Sequence, residues 1–302
     1  MRIGALIDVG QPLGAVVEQV RRYAAVGLES AWAVQIFGYD ALTMLGIVGA
    51  QVPGIELGTG VVPVYSRHPQ VMAQQALTVQ AATGGRLVLG VGLSHQVVVE
   101  GLWGLSYDRP ARYLREYLSA LLPLVRGEAV QAAGEVVTAR TYGPLEIPDA
   151  PAPPVLAAAL GPRMLQLAGT VADGTVTWMT GTGTIADHIV PTIAAAAEGA
   201  GRPPPRVVVS LPVTVTDSAT EAKERIDRAF AIYPTLPSYR AMLDREGAER
   251  PSDIALVGPE DDVARGLRRL ADAGATDFVA AIVGHERERT EALLAAVARG
   301  SA

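Results

Sequence analysis

The 302-residue chain contains no cysteine, which excludes disulfides, thiolate metal sites and thiol nucleophiles together. Its single lysine, Lys223, sits in a charge-rich stretch that reads as an exposed helix. Schiff-base chemistry needs an amine held in a site, and none is at hand. The four histidines, His68, His95, His188 and His285, stand apart without an HxH or HExxH pairing, so no metal site is expected. Ser94 precedes His95 but belongs to no GxSxG elbow and has no evident third partner. No apolar run reaches the roughly 18–20 residues of a membrane helix. The opening Met1-Arg2-Ile3 lacks the charged lead, apolar core and cleavage site of a signal peptide, so the expectation is a cytoplasmic protein. Acidic residues number 31 against 25 basic ones, a net charge of −6 with no concentrated basic face, and no nucleic-acid partner is expected.

What is present is a repeated local pattern: an Ala-rich helix end, a glycine, then a short apolar run. It occurs as YAAVGLESAWAV (23–34), LQLAGTVADGTVTW (165–178) and RLADAGATDFVAAIV (269–283), with a looser copy, VQAATGGRLVLGVG, at 79–92. Glycine suits the left-handed turn past a helix C-terminus, and an unalternated apolar run suits a parallel strand covered on both faces. The spacing predicts eight strands, Ile3–Asp8, Ser30–Gln35, Glu56–Val62, Arg86–Val91, Val155–Ala159, Gly174–Trp178, Arg206–Thr214 and Thr276–Val283. Helices are predicted at Leu13–Val26, Gln70–Ala82, Ala111–Arg126, Ile185–Gly199, Asp261–Ala273 and near Thr290–Arg299. Eight such units make a (β/α)8 TIM barrel, one α/β domain over 1–302. The rival, an open doubly wound sheet, would need a G-x-G-x-x-G turn; here Gly90-Val91-Gly92 runs on into Leu93-Ser94-His95. Two insertions interrupt the barrel. One, about 128–153 after the fourth strand, reads as a small hairpin with a proline-rich return. The other, about 232–258 in the seventh unit, reads as a helical excursion suited to a lid or a partner contact.

In such a barrel the residues just beyond each strand converge on one face. That face holds Asp8, Gln35, Phe37, Pro63 to His68, Gly92 to Gln96, Leu160 to Pro162 and Trp178. It is rich in glycine and poor in charge, which suits a large cofactor that brings its own chemistry. Asp8 is either a helix cap or a site carboxylate, and His95 either a loop residue or a contact to cofactor or substrate. Phe37 and Trp178 are candidate walls of a substrate pocket. Arg67 reads as an ion-pair partner on the rim, and His68 as the residue that opens the next helix.

The run GTGVVPVYSRHP (58–69), a helix, and then GGRLVLGVGLSH (84–95) resembles the luciferase-like monooxygenase superfamily, in its branch that uses the deazaflavin coenzyme F420. AALGPRMLQLAGTVADGTVTW (158–178) is similar to that family's second cofactor segment. The resemblance implies a (β/α)8 barrel, a homodimer, and F420 on the C-terminal face, with FMN as the alternative cofactor. It implies that Gly60-Val61 form a bulge in strand three under the deazaflavin ring, at a position that holds a non-prolyl cis peptide in F420 relatives, and that Val62 joins them in binding the cofactor. Gly92, Leu93, Ser94 and His95 correspond to the loop lining the ring and side chain. Ala158, Ala159, Leu160, Gly161 and Pro162 correspond to the phosphate-holding turn, and a helix start with free N–H groups suits that task.

Departures are as informative. Relatives that oxidise glucose 6-phosphate carry an Asp-His pair where this chain has Gln35-Ile36, and lysines that it lacks. Relatives that reduce methylenetetrahydromethanopterin carry acids where it has Leu6, Gln35 and His95. The expectation is therefore hydride transfer between deazaflavin C5 and a small, mostly apolar substrate. The proton is assigned to His95, or to water ordered by Gln35 and Asp8. An FMN-dependent monooxygenase and a non-catalytic flavin- or deazaflavin-binding protein are the alternatives.

Overall fold

A computed structural model describes residues 1–301. Eight parallel strands close on themselves: β1 (Arg2–Leu6), β2 (Ser30–Ala33), β3 (Glu56–Thr59), β5 (Leu87–Gly92), β8 (Val155–Ala157), β9 (Gly174–Trp178), β10 (Arg206–Val215) and β12 (Asp277–Ile282). Pairing runs in that order, and β12 returns to β1 with Arg2 opposite Asp277. The expected (β/α)8 TIM barrel is the fold. The predicted strands recur within a few residues, with one change. The third is split into β3 and a two-residue β4 (Val62–Pro63), and the Gly60–Val61 peptide between them is cis. Pro63 has no N–H to donate; β4 continues the sheet by pairing Val62 with Val91.

The helices form where an apolar stripe faces the barrel. Leu13–Val26 buries Val16, Val17, Val20 and Tyr23 and ends at Gly27, whose φ of 93° is the left-handed cap. Pro69–Thr83 starts on His68 and stops at Gly84 with φ 63°. The predicted helix Ile185–Gly199 starts earlier, at Thr182, and its first part, Ile185–Ile189, is a π-helical turn. Helix Ala41–Gln51 has no counterpart in the sequence reading; its apolar residues run all round, and Asp40 caps it through Thr43 N at 2.9 Å. Between β5 and β8 the chain forms an antiparallel hairpin of β6 (Gln131–Ala133) and β7 (Thr138–Arg140). After β10 it runs through helix Ala219–Ala229, a short turn at Tyr233–Thr235, helix Pro237–Glu246 and β11 (Leu256–Gly258), which pairs β10. Among the described residues no helix is long and apolar enough to cross a membrane.

The barrel has a closed end and an open end. At the strands' N-terminal ends, Arg206 pairs with Asp277 and with Glu56 at 2.6 Å, and Glu56 also holds Arg2 at 3.0 Å. Above this ionic floor the interior is filled by Trp32, Val88, Leu156, Val176, Val208 and Val279. Trp32 fits because Gly58 faces it; a Cβ at Gly58 would stand 2.3 Å from the indole. Its Nε1–H donates to Ser30 Oγ at 2.9 Å, and the Arg206 guanidinium lies 5.9 Å from its ring. The C-terminal ends are left for a site.

Candidate active site

Beyond the C-terminal ends of the strands lies a cavity of about 540 Å3. Its floor is the top of the barrel interior, with Leu6, Trp32, Val61, Val176 and Val279. One side is Gln35, Ile36 and Phe37 after β2, and another is Ser94, His95 and Val98 after β5. The remaining side comes from the excursion after β10: Phe230, Ile232, Tyr233, Leu236 and Tyr239. Among the described residues no Asp, Glu, Lys or Arg lines the cavity, so its electrostatics come from dipoles, one imidazole and two phenols.

His95 is half-buried, and its ring lies 5.6 Å from that of Tyr239. Burial pushes its imidazole below the ordinary histidine range, so the ring is neutral at pH 7. Ser94 beside it adopts a positive φ of 60°, which turns the chain so that both residues meet the cavity. Trp178 at the end of β9 also lines the cavity; its buried Nε1 has no hydrogen-bond partner among the described residues. Phe230 and Tyr233 pack edge-on against it with centroids at 5.3 and 5.7 Å, and Tyr239 packs on Tyr233 at 4.9 Å. Burial raises both phenols, so they stay protonated at neutral pH. Phe37, 71% exposed, stands at the mouth.

The structure separates the sequence-derived candidates. Gln35 lines the cavity, but its Oε1 is engaged by Ala41 N at 3.2 Å and Arg67 Nη2 at 3.3 Å. Its Nε2 makes no hydrogen bond among the described residues. Arg67 pairs with Asp40 and donates to Gln75 Oε1 at 2.9 Å, an anchor rather than a catalyst. His68 accepts from Gln70 N through Nδ1 at 3.2 Å and meets Thr138 O through Nε2 at 2.8 Å, tying the helix start to the hairpin. Asp8 is not brought to the cavity: it is exposed, and its Oδ1 accepts from Gly10 N at 3.0 Å within its own turn.

The cofactor segments named by resemblance come together only in part. Gly60 and Val61 line the cavity, and Val61 rests on Gly92: a Cβ at Gly92 would stand 2.6 Å from Val61 and 3.2 Å from Ala158. Val62 is fully buried in the core, on the opposite side of the chain from Val61, and Leu93 packs against that core. Neither lines the cavity. Ala159 is also buried, and the turn from Leu160 to Pro162 lies outside the cavity lining, at the start of helix Pro162–Val171. His188, from the π-helical turn, is buried and holds Leu160 O at 2.8 Å. Sequence reasoning assigned no role to His188, nor to Phe230, Tyr233 and Tyr239. The available signal was aromatic residues clustered in an insertion of a chain that is only 5% aromatic.

Among the described residues there is no cluster of His, Asp and Glu that could hold a metal ion. A flavin or deazaflavin fits the residues present. The cavity admits a ring against Gly60 and Val61. A Cβ at Gly161 would meet nothing within 4 Å, which leaves open space before the helix start. No side chain caps this start; Pro162 has no N–H and Met164 N donates to Gly161 O at 3.0 Å, so the N–H groups of Gly161 and Arg163 are the ones left for an anionic tail.

Comparison with known proteins agrees with this geometry. A 5,10-methylenetetrahydromethanopterin reductase from Methanolobus tindarius is 27% identical over 305 residues, covering 89% of this chain and 90% of that protein. The structure of the coenzyme F420-dependent tetrahydromethanopterin reductase from Methanopyrus kandleri superposes with a TM-score of 0.81 at 21% identity, over 98% of this chain and 96% of that one. The oxygenating constituent of 3,6-diketocamphane monooxygenase from Pseudomonas putida, in complex with FMN, superposes with a TM-score of 0.77 at 17% identity, over 98% and 96%. A family model described as luciferase-like monooxygenase matches residues 1–300. With that match running along nearly the whole barrel, the chain belongs to the luciferase-like monooxygenase family of oxidoreductases.

Proposed function

We propose that the chain is a coenzyme F420-dependent oxidoreductase acting on a small, mostly apolar organic substrate. The observation that carries this reading is the uncharged cavity: Gly60 and Val61 on its floor and a single imidazole, His95, on its side. The deazaflavin, when bound, supplies or accepts a hydride at C5. The chain's own residues then have four tasks. Gly60 and Val61 support the ring from below, with Gly92 giving Val61 its seat. The free N–H groups at the start of helix Pro162–Val171, with exposed Arg163 in its first turn, receive the anionic tail. His188 holds Leu160 O and so fixes that turn. His95 exchanges a proton with the substrate heteroatom; among the described residues it is the only lining side chain whose ordinary titration falls near neutrality.

Apolar walls keep water from the reacting carbon and hold it close, which converts binding into orientation. The same family resemblance carries a cytoplasmic homodimer as part of this reading. FMN is the competing cofactor, supported by the FMN-bound neighbour of the same fold. Titrating the purified chain with F420 and with FMN, followed by fluorescence quenching, tests the choice. Saturable F420 binding at lower concentration than FMN is expected; tight FMN binding with none to F420 contradicts it.

A further inference from the structure

The chain is poor in aromatic residues, yet all three tryptophans and two of its three phenylalanines line this one cavity. They are not spread evenly. Phe230, Tyr233 and Tyr239 come from the excursion after β10, and with Trp178 they form an edge-to-face series whose last ring, Tyr239, lies tilted at 56° to His95. The Tyr239 hydroxyl makes no hydrogen bond within the described residues, and the Tyr233 hydroxyl faces only the Trp178 indole N–H, which can donate to its oxygen but cannot accept its proton. The wall therefore presents ring edges and two free O–H donors, and no charge.

This wall is held from outside the cavity. Glu246, the last residue of helix Pro237–Glu246, does not line it. Its carboxylate accepts from Gly183 N at 2.9 Å and from Thr184 N and Oγ1, both at 2.6 Å. Room for the carboxylate exists because residue 181 is glycine; a Cβ there would stand 2.3 Å from the Glu246 carboxyl carbon. Arg240 ties the same helix end to the carbonyls of Ala248 and Glu249, at 2.6 and 3.1 Å. The helix is thus anchored at its C-terminal end, while its other end carries Leu236 and Tyr239 into the cavity.

We propose that residues 229–246 are a substrate-selecting wall, that the wall takes a flat, uncharged, conjugated ring, and that Glu246 is the positioning residue that seats it. Aromatic edges favour a planar π-face over a puckered aliphatic one. A cavity without a cation leaves a substrate carboxylate desolvated and unpaired, which is costly. The two phenols can each donate to a neutral carbonyl oxygen. This rests on the proposed function only in taking Gly60 and Val61 as the ring support, so that the excursion is left for substrate.

The test is calorimetric binding to the cofactor-loaded chain with three probes: cinnamaldehyde, 3-cyclohexylpropanal and cinnamate. Cinnamaldehyde is expected to bind about ten-fold tighter than either of the others. Tyr239→Leu, which keeps bulk and removes the ring, is expected to abolish most of that preference. Glu246→Gln is expected to reduce it several-fold and Glu246→Asp to restore part of it, each with cofactor affinity within about two-fold of the parent. A merely structural role for Glu246 would lower affinity for all three probes together. Equal affinity for the flat and saturated aldehydes overturns the proposal. So does a loss of cofactor affinity matching the loss of probe affinity, since the wall would then belong to the cofactor. If F420 does not bind, the functional reading fails by itself and the same comparison is read on the FMN-loaded chain.

Discussion

At the scale of residues, the chemistry converges on His95. Burial lowers its pKa from the usual 6.5, so the ring is ready to accept a proton at neutral pH and carries one only in acid. In the direction that oxidises substrate, kcat/KM is expected to fall as pH drops through an inflection below 6.5; in the reducing direction it is expected to fall as pH rises through the same point. His95→Gln is expected to remove the inflection and lower turnover by about 10²–10⁴-fold with little change in cofactor affinity. A pH–rate series on both proteins checks this, and equal turnover would take His95 out of the mechanism. The same shift has a stability sign. The unfolded imidazole binds a proton more readily than the folded one, so this ring stabilises the fold above 6.5, and that stabilisation is lost as pH falls toward its folded value.

At the scale of elements, the legible parts were those where local chemistry and topology agree. Helix Leu13–Val26 shows a single apolar stripe closed by Gly27, and the barrel strands are short apolar runs at regular spacing. Helix Ala41–Gln51 was not legible because ALTMLGIVGAQ is apolar on every side and shows no period. The break in the third strand could be read from its glycines and Pro63. Which side chain it presents could not: successive residues alternate across a strand, so Val61 reaches the cavity while Val62 turns into the core. Asp8 misled because its position at a strand end suggested a site, whereas its carboxylate closes its own turn. The excursion was legible as a lid or partner contact, but the roles of Tyr233, Tyr239 and Glu246 were not, because they depend on where the segment folds back: Glu246 anchors on Gly183, 63 residues earlier.

At the scale of the molecule, the two ends of the barrel divide stability from function. Asp277, 1% exposed, holds Arg206, which also holds Glu56. Asp277→Asn leaves a guanidinium with one partner fewer in a largely enclosed place, and urea denaturation is expected to show a loss of about 3 kcal/mol. Cofactor affinity is expected to be unchanged, because this network lies at the end opposite the cavity. A stability loss under about 1 kcal/mol would mean that solvent already screens the pair.

The central claim, hydride transfer on an F420-loaded barrel, is tested most directly by an anaerobic single turnover with reduced F420 carrying deuterium at both C5 positions and a neutral aromatic aldehyde. The expected result is deuterium on the product carbon without any need for dioxygen. A product that forms only when dioxygen is admitted, or that carries no label, would contradict it.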